Sequence, residues 1–232
     1  MTVVILSEAK DLLDSRSVLR VCGDAAPAGS GTLGDAHLPS FTRRAYAMAM
    51  PDVARWTRAE VLALPDDGMR HELIDGELIV TPTSRVRHQD GVMALHELVS
   101  TYVREHGVGR CYDLPGDLEV LPDQLTQPDL FVVPVGIRFD RWEDAPTPIL
   151  VVEVASPSTA RYDRGTKRRF YQRAGVPEYW IVDLDARLVE RWRPDDARPE
   201  VLDQHITWHP APEVTPLRID LIHFFVHVMD EA

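Results

Sequence analysis

The sequence predicts an α/β sandwich in which helices flank a mixed β-sheet. Three observations lead there. Short apolar runs of strand length stand at residues 129–133, 149–155, 178–183 and 188–192. Helix-periodic stretches at 84–104 and 163–174 lie between them, the order expected of a layered α/β domain. Composition is that of an ordinary globular chain, 44% hydrophobic and 27% charged, and 232 residues suffice for one well-packed domain.

Residues 1–50 fall outside that pattern. Segments such as Gly23-Asp-Ala-Ala-Pro-Ala-Gly-Ser-Gly mix small and polar residues without apolar periodicity, so a disordered or weakly ordered leader is expected, with the domain spanning 51–232. Met48 and Met50 stand directly before the first patterned segment. The natural start is expected there, the leader being an over-extended reading frame.

Within the domain, Thr57 and Glu60 have capping-box spacing for a short helix that ends at Pro65-Asp-Asp-Gly68. Residues 71–80 read as a hairpin, because Asp75-Gly76 suits a two-residue type I′ turn between apolar arms. The 84–104 helix places Val92, Leu95, Leu98, Val99 and Tyr102 on one stripe for a sheet. Strands are expected at 116–121, 129–133 and 149–155, the last stopped by Ser156-Pro-Ser158. A helix over 163–174 stops at Gly175 and Pro177, two strands follow around Asp185-Ala-Arg187, and 217–226 closes the domain as a strand or a helix.

A formal net charge of −12 excludes strong nonspecific attraction to polyanions, so any nucleic-acid site must be a local basic patch. Arg161, Arg164, Lys167, Arg168, Arg169 and Arg173 supply one on a single predicted helix, unless they form only a solvated face. Cys22 and Cys111 are too few for a disulfide framework or a cysteine zinc site, which suits a reducing cytoplasm. No run approaches the ~20 apolar residues of a membrane helix. His223 and His227 have the spacing of a metal pair but no further ligand motif completes them.

The chemistry concentrates elsewhere. Alternation puts Ile149, Val151, Glu153 and Ala155 on one strand face, and a carboxylate buried there costs several kcal/mol unless something compensates it. Asp129 raises the same difficulty at the start of a neighbouring strand. A shared hard divalent ion answers both, and Mg²⁺ takes few carboxylates alongside water and phosphate oxygens. Beyond Lys10 the chain has a single lysine, Lys167, which shares a helical stripe with Asp163, Phe170, Tyr171 and Ala174. Facing the sheet, it can hold an attacking water or stabilise charge on a phosphate; otherwise it snorkels to solvent. Together these residues suggest a metal-dependent phosphodiesterase centre.

Pro128-Asp129 followed by an apolar strand with Glu153 resembles the PD-(D/E)XK nuclease superfamily. The ordered set Glu72-Leu-Ile-Asp-Gly-Glu77, Gln127-Pro-Asp129, Val152-Glu-Val-Ala-Ser-Pro-Ser-Thr159, Arg161-Tyr-Asp-Arg-Gly-Thr-Lys167 and Ala174-Gly-Val-Pro-Glu-Tyr-Trp180 is similar, more narrowly, to the Uma family of restriction endonucleases, over residues 57–195. The resemblance implies a restriction endonuclease-like core, with a mixed sheet flanked by helices. Asp129, Glu153 and the Val154 carbonyl would hold Mg²⁺, or Mn²⁺, and DNA would be the partner of a metal-dependent endonuclease. Arg161, Arg164 and Arg168 would then contact nucleic acid, and a homodimer is compatible with this reading. Where the superfamily expects a lysine two residues after the glutamate, this chain has Ala155; Lys167 would be its migrated equivalent. Glu72 matches an extra acidic position of the superfamily, catalytic or else a hairpin-edge residue. His88 matches a recurring family position, functional or else a structural helix-end histidine.

Two other readings compete: a noncatalytic nucleic-acid or partner-binding protein that keeps the fold, and a hydrolase using the two carboxylates as acid and base without metal.

Overall fold

The computed structural model describes residues 3–5, 55–113 and 116–230. The rest of the expected leader, with the start expected at Met48 or Met50, lies outside the described residues. Residues 3–5 form a strand that the sequence reading did not place, β1 (Val3–Ile5).

Local chemistry explains the first elements. Thr57 caps α1 (Arg58–Leu62): its hydroxyl accepts the Glu60 N–H at 3.3 Å and the Glu60 carboxylate accepts the Thr57 N–H at 2.8 Å. The hairpin follows as β2 (Arg70–Ile74) and β3 (Glu77–Thr81), turned by Asp75 and Gly76 at φ 54° and 79°, the left-handed pair a type I′ turn requires. β1 adds to β3 in parallel, Val4 opposite Ile79.

α2 (Val86–His106) ends on Gly107 in the left-handed region, φ 62°. It buries Val92, Leu95, Val99, Tyr102 and Val103, whereas Leu98, expected on the same stripe, is exposed at the stripe's edge. β4 (Gly109–Tyr112) comes next, unforeseen because its four residues include a glycine and an arginine. Only glycine fits at 109, since a Cβ there would lie 2.5 Å from the Val133 carbonyl oxygen. The strand expected at 116–121 does not form. The segment makes one bridge, Leu118 to Thr126, and a Cβ on Gly116 would stand 2.8 Å from the Trp142 ring, so close packing rather than a ladder fixes it.

The central sheet then builds from β5 (Leu130–Pro134), β6 (Leu150–Ala155), β7 (Tyr179–Asp183), β8 (Leu188–Trp192) and β9 (Glu200–Leu202). Among the described residues its order is β4-β5-β6-β7-β8-β9, with β6 and β7 parallel and every other pair antiparallel. Parallel neighbours need a crossover, and here it is helical. It begins as α3 (Ala160–Tyr162), passes through a π-helical turn, Asp163–Lys167, and ends as α4 (Arg168–Arg173). The helix expected over 163–174 therefore starts earlier, at Ala160, and within that span is a π turn followed by one α segment. The chain closes with β10 (His205–Trp208), β11 (Leu217–Asp220) and α5 (Leu221–Asp230), so the 217–226 segment is strand and helix in succession.

Strand alternation gives the central sheet two buried faces, while a third cluster, Val61, Leu73, Leu78, Val80 and Leu125, packs the hairpin against α1. Leu130, Val132, Leu150, Val152, Val154, Trp180 and Val182 cluster with residues of α2 and α5. Phe131, Val133, Val151, Tyr179 and Ile181 cluster instead with Ile74 and Ile79 of the hairpin and with Phe170 and Tyr171 of α4. Glu153 has the parity of this second face.

Candidate active site

The β5–β6 register brings the two strand carboxylates together. Leu130 pairs with Val152, and continuing that antiparallel register by one residue sets Asp129 opposite Glu153 on the same face. Like charges directly opposed across a pair repel, so the arrangement demands cations. Both carboxylates are nearly inaccessible, Asp129 7% and Glu153 2% exposed, as are Glu72 at 1% and Lys167 at 4%.

Lys167 meets Glu153 from the crossover. Its ammonium donates to Glu153 Oε1 at 3.0 Å and lies 2.9 Å from Glu72 Oε2, while Glu72 Oε1 accepts the Gln127 N–H at 2.8 Å. Asp163 and Lys167, four apart on one helical face, are the buried residues of the π turn. The Asp163 carbonyl accepts the Arg168 N–H within the turn and the Tyr179 hydroxyl at 3.2 Å, which secures the bulge.

Asp129 is held by three donors. Arg70 NH1 donates to Oδ1 at 2.8 Å, the Val154 N–H donates to Oδ2 at 2.9 Å, and His88 Nε2 lies 3.0 Å from Oδ2. Arg70 stands two residues before Glu72 on β2 and so shares its face; that period-two relation was the signal by which the sequence could have named it. Asp163, already on the lysine stripe, is the other residue to which sequence reasoning gave no role.

The electrostatics follow from crowding carboxylates around Arg70 and Lys167. Burial pushes the Asp129 carboxyl up, but the His88 hydrogen bond and the Arg70 charge outweigh it and hold Asp129 well below the usual range. For Glu153, burial together with Asp129, Asp163 and Glu72 outweighs Lys167, and its carboxyl is raised. Burial also raises Asp163, to about 6, against the pull of Lys167 and a hydrogen bond to Thr159. Lys167 keeps its proton: burial opposes the charge, and Glu153, Glu72 and Asp163 more than restore it.

Arg70, Glu72, His88, Asp129, Glu153, Val154, Asp163 and Lys167 all line one cavity of about 10 Å³, room for roughly a single water-sized body. Among the described residues, no three His, Cys, Asp or Glu side chains converge as a metal-ligating group. The oxygens beside the cavity are those of four carboxylates, Glu72, Asp129, Glu153 and Asp163, and of the Val154 backbone. In an extended strand a residue's N–H and C=O point to the same edge, so the Val154 carbonyl faces the side from which Val154 bonds Asp129. A carboxylate has about four acceptor positions, of which Asp129 uses three, leaving one. This is a hard-oxygen set with excess negative charge, which suits a small divalent ion better than a soft one.

The arginines separate. Arg161 is exposed at the start of the crossover. Arg164 is engaged by Asp183 at 2.8 Å and Glu190 at 2.5 Å, and Arg168 lies over the Trp192 ring, 4.7 Å from its centroid, while bonding Gln172. Neither Arg164 nor Arg168 lines the small cavity. His223 and His227 lie on the exposed side of α5.

A mixed sheet bearing opposed carboxylates, with a lysine directed at one of them, defines a protein of the restriction endonuclease-like class. The model of the Uma2 family, described as "Putative restriction endonuclease", matches residues 58–221, well over half of the chain, and the chain belongs to that family. Among solved structures, the fold is similar to that of a putative nuclease belonging to DUF820 from Anabaena variabilis ATCC 29413. That similarity has a TM-score of 0.58 at 20% identity and covers 75% of this chain and 99% of that one. Among curated proteins, none matches this chain. No helix among the described residues is long and apolar enough to cross a membrane.

Proposed function

We propose that the protein is a Mg²⁺-dependent endonuclease that hydrolyses phosphodiester bonds in DNA. The observation that carries the reading is the meeting of Lys167, Glu153 and Asp129 around one small cavity, the lysine 3.0 Å from the glutamate. Asp129, Glu153 and the Val154 carbonyl would hold Mg²⁺, with Mn²⁺ as a substitute. Bound there, the ion supplies Lewis-acid neutralisation of charge on the phosphate oxygens.

The chain's own residues account for the rest. Hydrolysis adds a water oxygen to phosphorus and breaks the bond to one sugar oxygen, which leaves with a proton. Lys167 orients the water and stabilises the charge that builds as the new bond forms; Glu72, the second carboxylate partner of the ammonium, fixes its direction. His88 and the Val154 N–H hold Asp129 in its ionised state and in one orientation. Exposed Arg161 is free to meet the nucleic acid outside the centre.

Cleavage of plasmid DNA in Mg²⁺ or Mn²⁺ tests this. Wild type is expected to nick it, with Asp129→Asn and Lys167→Ala reduced roughly 10²- to 10⁴-fold. Equal cleavage by all three proteins defeats the proposed centre. Titration calorimetry adds a second readout: absence of carboxylate-dependent Mg²⁺ binding favours a noncatalytic binding protein.

A further inference from the structure

A second, larger concavity adjoins the small one. It is a groove of about 470 Å³ between the start of α2 and the loop that follows β6. Arg70 and His88 line both spaces, so the groove opens onto the centre through the residues that hold Asp129.

The lining has two characters. Thr83, Ser84, Ser156, Ser158 and Thr159 present hydroxyls, and Arg70, Arg85 and Arg87 present guanidinium groups, with Arg87 4.0 Å from Asp185, the one carboxylate of this wall; the cationic excess suits phosphate and sugar oxygens. Val86, Pro82, Pro157 and Leu184 present apolar surface beside them. Val86 is 78% exposed and stands next to Arg87 on this wall, so an apolar surface and a cation are offered side by side. A duplex offers mainly its phosphates to such a groove, because its base faces are stacked inside. An unpaired strand offers both phosphates and bare base faces. The volume points the same way, since it lies within the ~300–1,000 Å³ of small-ligand sites and cannot admit a double helix.

We infer that this groove seats one unpaired DNA strand, with a phosphate at Arg70 and a base against Val86 and Pro157. The inference rests on the nuclease reading for its location, and names the strand state of the substrate. Its test is fluorescence anisotropy, with Ca²⁺ in place of Mg²⁺, on a labelled oligothymidylate and a labelled hairpin duplex. Wild type is compared with the double variant Val86→Glu, Arg87→Glu, both positions exposed and outside the catalytic cluster.

The single strand is expected to bind more tightly than the duplex, and the variant to lose about tenfold of that affinity or more. Equal affinity of wild type and variant overturns the groove assignment, as does a duplex bound as tightly as the single strand. Wild-type cleavage with unaltered variant binding would leave the nuclease standing and remove the groove. Variant-sensitive binding without wild-type cleavage in Mg²⁺ or Mn²⁺ would do the reverse. Failure of wild type to bind either probe also overturns the groove.

Discussion

The two faces of the central sheet are built from the same strands and differ in kind. Toward α2 and α5, the buried cluster consists of apolar side chains closed over by Val92, Leu95, Phe224 and Phe225. Toward the hairpin and α4, strand β6 offers Val151 and then Glu153, and the apolar layer gives way to an interior cluster of carboxylates, arginine and lysine. Period-two alternation lets one strand do both. Stability accumulates on the dry face, and that surplus supports a charged face that would not hold together unaided.

The contrast can be broken most heavily on the dry side. Trp180→Ala is expected to cost about 3–5 kcal/mol in urea unfolding, because a large buried ring leaves a cavity, while cleavage persists under native conditions. If cleavage disappears in step with the stability of that layer, the two faces are not separable.

On the charged side, Lys167→Met is expected to cost about 3 kcal/mol and to abolish cleavage, since Glu72 and Glu153 lose their shared cation. Adding Glu72→Gln and Glu153→Gln should restore most of the stability and none of the activity. An unchanged unfolding midpoint for Lys167→Met would mean that the carboxylates already hold protons and the ammonium stabilises nothing.

A smaller effect, of opposite sign, is expected at Asp163. Its folded carboxyl titrates at about 6 against an ordinary 3.8, so the folded state holds a proton there that the unfolded state releases. Its contribution therefore turns against folding as pH rises from about 4 to about 6, and stays unfavourable above. Asp163→Asn should gain on the order of 2 kcal/mol at pH 7.5 without added metal and nothing at pH 3.5. Equal thermal shifts at the two pH values would show that Asp163 is compensated by its neighbours.

Local rules made much of this fold legible. Asp75-Gly76 specified the hairpin, Thr57 and Glu60 the cap, and short, mainly apolar runs the strands β5 to β8. Where packing decided, the sequence misled. Residues 116–121 have strand composition but are fixed by the contact of Gly116 with Trp142, and β4 forms because Gly109 lets it lie close against Val133. Within the centre, Asp129, Glu153 and Lys167 were visible as carboxylates and a singular lysine in unsuitable surroundings. The grip of Arg70 on Asp129 spans 59 residues of chain, a separation no local pattern reports. The π turn was equally hidden, since nothing in Asp-Arg-Gly-Thr-Lys distinguishes it from an α-helical turn.

The placement of the lysine on the crossover rather than on β6 has an effect on traffic through the centre. Lys167 lines the small cavity and is absent from the groove wall, whereas Ala155, at the position where a strand-borne lysine would stand, lines the groove and is absent from the cavity. The ammonium thus reaches the centre from the side of the crossover, and at position 155 the groove wall carries only a methyl group. A centre wired from that side can neutralise its own carboxylates without narrowing the passage along which anything else must arrive.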